Sequence, residues 1–355
     1  LDLIEGLLDR WKVIMKFFYR RGVAALAVAM LVGVVSNTNA QVNPRDLPIV
    51  AQPQQRFDAG QDIQPIFEGW SRNDDGSYLF HFGYINRNYR EQPNVAIGPA
   101  NYFSPGDPDR GQPTYFYPRT QRYQFTVQVP ASMGTSLDDG LSWTVTLHGS
   151  EQKAVGWLQP EWEIDENTIT SNGGTGRGHT KADIYADEPP SVAVQANASS
   201  VAVGQPLTLT AMLTDDELPV SLPPRKPREP LPTLKRPEGF PDIPDNVQWY
   251  RRPRPPRNGL SLLWVVYRGP ADANFHPAGF QRSVLEEGED GSPSSRLGAV
   301  ETAASEVTMI EGDGWTSAKF EATVTFDTPG TYTLRAVASD AMLSAFGDVV
   351  VTVRE

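Results

Sequence analysis

Cysteine is absent from this 355-residue chain. With it go disulfide staples, thiolate metal sites, cysteine nucleophiles and a lipidated cysteine. Histidine is scarce: His81, His148, His179 and His276 are scattered, and none forms a metal-binding pair at short spacing. No Gly-x-Ser-x-Gly elbow occurs, so an esterase-type nucleophile has no local signature. Positive charge is outnumbered, 31 Lys and Arg against 43 Asp and Glu, leaving a net charge of −12. Such a surface repels phosphate backbones, so nucleic acid is not expected as a partner. Long apolar runs are missing too. The longest, Gly22 to Val35, falls short of the roughly 20 residues a membrane span needs.

That apolar run has a purpose of its own. Lys16, Arg20 and Arg21 precede it, and the small polar stretch Ser36 to Ala40 follows. Basic head, short apolar core and small-residue cleavage site make a secretory signal peptide. Residues 1–40 therefore read as upstream residues plus a signal peptide starting at Met15. Export without cysteine suits a bacterial protein that is periplasmic, cell-surface or secreted. Membrane contact is expected only through this segment, if it stays uncleaved. Residues 41–60 are polar, carry proline and lack periodicity, which reads as a flexible lead-in.

What remains is rich in proline (31) and glycine (30), with apolar residues repeating every second position. The clearest case is the end of the chain. Ala322, Val324 and Phe326 alternate with polar residues, Asp327-Thr328-Pro329-Gly330 turns, and Tyr332, Leu334, Ala336 and Ala338 alternate again before Val349, Val351 and Val353. Half-buried antiparallel strands need a second sheet to cover them. Between 61 and 165 at least five such runs recur, including Tyr78 to Ile85 behind an Asp75-Gly76 turn, Gln121 to Val129 and Leu141 to Leu147. The expected fold class is all-β: two β-sandwich domains in tandem, at 61–165 and 189–355, joined by a Gly-rich linker at 166–188. Gly174, Gly176 and Gly178 in that linker lack the Lys-Ser/Thr ending of a phosphate loop.

Two resemblances accompany this reading. Glu68-Gly69-Trp70, Asp75-Gly76-Ser77-Tyr78, Phe82-Gly83-Tyr84, Asn86-Arg87-Asn88, Ile97-Gly98-Pro99 and Gly111-Gln112-Pro113-Thr114 form a pattern that resembles the amino-terminal part of uncharacterised exported bacterial proteins. That resemblance implies export and a β fold, and no chemistry. Gly204, Leu207, Leu209, Ala211, Asp215, Trp264, Gly269-Pro270, Phe275, Phe326, Pro329-Gly330-Thr331-Tyr332, Leu334, Ala338 and Asp340 resemble bacterial immunoglobulin-like and PKD-like domains. This one implies a sandwich with Trp264 on its middle strand and Tyr332 as a tyrosine corner. The Trp-x-Phe-Gly-Asp-Gly turn of typical PKD domains is missing.

The immunoglobulin-like pattern is broken by a long proline-rich insertion, placed at 218–318. Within it, residues 223–257 hold eleven prolines, nine Arg or Lys and four Asp or Glu. Arg225, Lys226, Arg251, Arg252 and Arg254 would make a docking strip for an acidic partner. The commoner fate of such a strip is a solvated loop. Tyr102, Phe103, Arg110, Tyr115 and Tyr117, in the loop 98–118, have the composition of an aromatic sugar platform, against the plainer role of capping the sandwich. Asp215, Asp216 and Asp340 occupy turns expected at one pole of the second sandwich, with Asp107 and Asp109 as a second acidic pair. Hard oxygen donors of this kind suit calcium, and no other cofactor is expected. The paired carboxylates Glu161/Glu163 and Asp215/Asp216 fall at domain edges, where turns and solubility explain them. No catalytic residue is assigned. The function expected is that of an exported non-catalytic protein: an envelope-associated structural, adhesion or protein-interaction module with a protein or glycan partner. A carbohydrate-binding module using loop 98–118 is the alternative.

Overall fold

Alternating side chains become strands wherever the sequence repeats in twos. A computed structural model describes residues 57–176, 178–223, 253–284 and 306–355, so the expected leader at 1–40 and most of the lead-in lie outside the described residues. Six strands come first: β1 (Ile63–Arg72), β2 (Tyr78–Asn86), β3 (Asn101–Ser104), β4 (Arg119–Val129), β5 (Leu141–Leu147) and β6 (Ser150–Gly156). They make two three-stranded antiparallel sheets, ordered β1-β2-β4 and β3-β5-β6. One aromatic core lies between them. Phe82 packs against Phe67, Phe103, Phe125 and Trp143 with ring centroids 5.5, 5.2, 5.6 and 6.2 Å away. Asn101 is buried in this core and fully satisfied. Its amide donates to the carbonyls of Val95 and Pro113, both at 2.9 Å, and its oxygen accepts from Trp143 Nε1 at 2.9 Å. A buried polar group with every partner in place fixes geometry without the cost of an unmade bond.

The connector is not the plain Gly-rich linker that its composition suggested. It forms two short helices, α1 (Glu166–Gly173) and α2 (Lys181–Ala186). Asp165 caps α1 by accepting from Thr168 N, and Gly174 ends it in the left-handed region at φ +80°. Thr180 and Asp183 form a capping box on α2. Apolar residues are too few here to give a helical period, so the caps alone carry the signal.

Ten strands follow: β7 (Ser191–Ala196), β8 (Ser200–Ala202), β9 (Leu207–Thr214), β10 (Ser261–Arg268), β11 (Asn274–His276), β12 (Gln281–Arg282), β13 (Met309–Gly312), β14 (Ser317–Thr325), β15 (Gly330–Ser339) and β16 (Ser344–Arg354). One sheet runs β12-β10-β15-β16-β8 and the other β11-β14-β9-β7, with β13 added beside β14. All these pairings are antiparallel except β8, which runs parallel to β16. The expected inward residues meet in the core between the sheets: Leu207, Leu209, Ala211, Trp264, Phe320, Val324, Phe326, Tyr332, Leu334, Val351 and Val353. Tyr332 also makes the expected corner, its hydroxyl donating to Thr328 O at 2.9 Å. The expected insertion bounds need correction. Residues 218–318 contain β10 to β13 and the first residues of β14, so core strands divide the irregular sequence into separate pieces. Trp264 was expected on a middle strand, but the proline-rich sequence before β10 left the start of that strand unmarked.

The described residues from Phe57 on belong to one contiguous unit spanning Arg56–Glu355, and a specific joint shows why. The register of β10 on β15 slips between Val266 and Arg268. At this bulge the Tyr267 carbonyl accepts from Thr114 N (3.2 Å) and Tyr115 N (3.3 Å) of the first half. Val266 N donates to the Tyr117 hydroxyl at 3.0 Å, and Tyr267 Oη donates to Gly111 O at 2.6 Å. Arg268 binds Asp109 through two bonds, of 3.0 and 2.7 Å. Arg335 completes the joint. It grips Asp348 with two 2.7 Å bonds, donates to Gln124 O at 2.8 Å and lies 3.3 Å from the Tyr267 ring centroid.

Removing Arg335 strands Asp348, the Gln124 carbonyl and the Tyr267 ring together. Arg335→Ala is expected to cost about 3 kcal/mol of unfolding free energy, since breaking a charge-assisted network costs more than its net worth. Urea titration of the variant measures this. A loss under about 1 kcal/mol would mean the joint contributes little.

Candidate functional site

The fold distributes the sequence-derived candidates unevenly. The aromatic loop is not a presented platform: Phe103 and Phe116 belong to the first core, and Tyr115 is buried in the second. Tyr117 packs against that second core and Tyr102 is only partly covered, so no exposed row of rings remains. The sugar-platform expectation for Phe103 and Tyr115 is corrected accordingly. These rings face inward because the loop bridges two cores that both need apolar filling. Arg110 folds back on its own loop, donating to the carbonyls of Asp107 and Pro105 at 3.1 and 3.3 Å. Asp109, offered with Asp107 as a calcium ligand, is instead the partner of Arg268, which holds its carboxyl below the usual range. Of the basic strip, Arg225, Lys226, Arg251 and Arg252 lie outside the described residues; Arg254 is described and exposed.

The acidic trio behaves differently. Asp215 directly follows β9, Asp216 comes next, and Asp340 follows β15. A fourth carboxylate joins them that sequence pattern alone does not single out: Asp187, the residue after α2. Apolar packing sets this meeting. Ile184 of α2 is buried against Met342 and Leu343, two and three residues beyond Asp340. Asp340 Oδ1 accepts from Met342 N at 2.6 Å and Leu343 N at 2.7 Å, which fixes the turn and leaves Oδ2 buried without a partner. Both oxygens of Asp187 and Oδ1 of Asp215 are likewise buried and unpartnered. Asp187 retains 6% of its surface and Asp340 2%. Asp216 is held at the rim, accepting from Leu218 N at 2.9 Å and Glu188 N at 3.3 Å.

Like charges this close oppose ionisation. Burial, then Asp216 and Asp215, push the Asp187 carboxyl up to about 7. Burial and Asp216 push Asp215 up to about 7. Burial and Asp187 push Asp340 up to about 8, against the two backbone donors that favour its charge. Among the described residues no group of three or more His, Cys, Asp or Glu side chains is placed so that it could hold a metal ion, these four carboxylates included. The sequence signal for Asp187 was its place directly before Glu188-Pro189-Pro190 and the first strand of the second half.

The histidines contribute one buried pair. His81 Nε2 lies 2.8 Å from Ser71 Oγ across the β1–β2 ladder, beside the Tyr123 ring. Ser71 stands ten residues before His81, and the antiparallel β1–β2 hairpin brings the two together. Burial pushes the imidazole down to about 4, so it is neutral at pH 7.

No family model matches the sequence, and no curated protein matches it. Among solved structures, the chain is similar to domains 4 and 5 of the S-layer protein SbsC, at 10% identity and a TM-score of 0.20. That match covers 83% of this chain and 98% of the other.

The His81 environment predicts a pH effect. Its folded value lies below the ordinary value of 6.5, so the unfolded chain binds the proton more readily between the two. Its contribution to stability is therefore full above pH 6.5 and is lost as pH falls toward 4. Urea titrations across that range should show a smaller decline for His81→Gln than for the parent chain. Parallel declines would place the acid sensitivity elsewhere.

Proposed function

We propose that this chain is an exported, non-catalytic structural module of the cell envelope, built as two tandem β-sandwiches, the second immunoglobulin-like. The joint between the halves is the observation that carries this reading. Hydrogen bonds, an ion pair and a shared tyrosine tie loop 109–117 to β10, and Arg335 of β15 ties to Gln124 of β4, which suits two halves acting as one stiff body. Stiffness across a domain boundary suits a spacer or an adhesion unit that must hold its ends apart. It is wasted on two modules that only bind separately.

Strand order supports the immunoglobulin-like assignment. One sheet, β11-β14-β9-β7, corresponds to strands D, E, B and A, and the other holds C, F and G as β10, β15 and β16. Trp264 lies on the strand matching C, and Tyr332 stands two residues before the buried Leu334 on the strand matching F. The basic head and short apolar run at 16–40 support export, to the periplasm, the cell surface or the medium. A protein or glycan of the envelope is the partner this role implies.

Two measurements test the proposal. Expressed with its leader in a bacterial host, the chain should leave the cytosol and yield a mature amino terminus at Gln41 by intact mass. Uncleaved chain confined to the cytosol would end the export reading. Calorimetry should show a single unfolding transition for both halves. Two resolved transitions would end the stiff-spacer reading.

A further inference from the structure

An exposed tryptophan stands beside β1 in the first half. Trp162 ends a single 3-10 turn, Pro160–Trp162, and keeps 42% of its surface open. Its seat is built into β1. The register of β1 on β2 slips between Phe67 and Gly69, and the chain leaving the turn joins β1 there: Ile164 N donates to Trp70 O at 2.9 Å. Gly69, at φ +134°, admits this approach, because a Cβ would lie 2.7 Å from both the Trp162 carbonyl oxygen and Ile164 Cγ2. Trp70 ties down the start of the turn by donating from Nε1 to Gln159 O at 2.8 Å. The Glu68-Gly69-Trp70 pattern thus serves to hold the turn that carries Trp162.

The Trp162 ring lies nearly parallel to Phe67, with 14° between the planes and 5.3 Å between the centroids. Phe67 is itself buried. It packs on Phe80 at 5.2 Å and on Gly156, where a Cβ would fall 2.8 Å from the Phe67 ring. One face of the indole is therefore backed by the core while much of the residue stays open to water. Hydrogen-bonding groups flank it. Arg72 grips Glu163 through Nε and Nη2 at 2.7 and 3.3 Å, and its guanidinium lies 5.0 Å from the Trp70 ring and 5.6 Å from the Tyr78 ring. Arg72 Nη1, the Glu161 carboxylate and the Gln159 side-chain amide have no protein partner among the described residues.

We propose that Trp162 is the floor of a binding subsite for a neutral β-1,4-linked oligosaccharide, with Arg72, Glu163 and Gln159 hydrogen-bonding to the rim of the sugar. A pyranose with equatorial substituents has two apolar faces and an edge of hydroxyls. The face suits a flat indole, and the hydroxyls both donate and accept, so they serve a guanidinium and a carboxylate at once. An apolar protein surface would instead strip water from the Arg72–Glu163 pair without replacing its hydrogen bonds. Chains of phosphates or uronic acids are disfavoured by Glu161, Glu163 and the net charge of −12. The subsite gives the envelope role a class of glycan partner, and it rests on that role only for where such a glycan would be met.

Calorimetric titration of the purified full chain with cellohexaose and with chitohexaose tests this independently of export, since binding and leader cleavage can each fail alone. One or both sugars should bind the parent. Trp162→Ala should weaken that binding about tenfold or more, the scale of losing one buried aromatic contact. Trp162→Phe keeps a flat ring over Phe67 and should lose less. Arg72→Gln should weaken binding through the rim alone. Thermal unfolding of Trp162→Phe and Arg72→Gln should match the parent, which verifies that the fold is intact. Phe346→Ala removes an equally exposed ring from the second half and should bind as the parent does. No binding of either sugar by the parent overturns the proposal. So does full affinity in Trp162→Ala or in Arg72→Gln, or tighter binding of hexagalacturonate than of the neutral sugars. Self-association that Trp162→Ala abolishes, without sugar binding, overturns it too and assigns the ring to a protein contact.

Discussion

One released carbonyl organises the relation between the two halves. Where β10 slips its register on β15, Tyr267 is freed from regular pairing and its backbone oxygen turns to the neighbouring half. A regular ladder would have spent that acceptor inside its own sheet. Instead it receives two amides from Thr114 and Tyr115, and everything else in the joint depends on the position this gives loop 109–117. Tyr115 is brought within reach of the second core, Tyr117 within reach of Val266, and Asp109 within reach of Arg268. The Tyr267 side chain, on the face of β10 opposite Trp264 and Val266, is the surface on which Arg335 stacks.

This arrangement explains why an aromatic-rich surface loop offers so little surface. A ring between two sheet pairs is covered from both sides, so the residues that looked suited to a flat ligand fill a seam instead. Arg335 shows the same economy. It lies in a strand whose neighbours alternate in and out, and its outward position would ordinarily be solvated. Here it is covered by the first half, and its charge is met on three sides by a carboxylate, a carbonyl and a ring face.

Much of this was legible in the sequence, and the failures have physical causes. Strands with one buried face announce themselves by a period of two, so β2, β4, β9, β14 and β15 could be read directly, and Tyr332 and Trp264 with them. The α1 and α2 helices could not, because eight and six residues with few apolar side chains leave only their caps as a signal. Only the bounds of core strand β10 were hidden: Trp264 was expected on a middle strand, but the proline-rich sequence before it carries no information about where that strand begins. Partners across the joint were invisible since no local pattern encodes which loop fills a bulge roughly 150 residues away. Three of the four clustered carboxylates were identifiable as turn residues on one pole. Asp187 was missed because its neighbours read as linker, and only the packing of Ile184 on Met342 and Leu343 reveals where it lies.

The ends of the large sheets carry a different consequence. Among the described residues, β12, β8 and β11 are edge strands of only two or three residues, while β7 offers six. Short edges give a foreign strand little to zip onto, but β8 pairs only with Thr352–Arg354 of β16, so among the described residues β16 from Ser344 to Val351 joins β7 as a longer uncovered margin. Copies of this chain would therefore find little backbone to pair with at β11 and β12, and strand addition between copies would be steered to β7 and the uncovered length of β16.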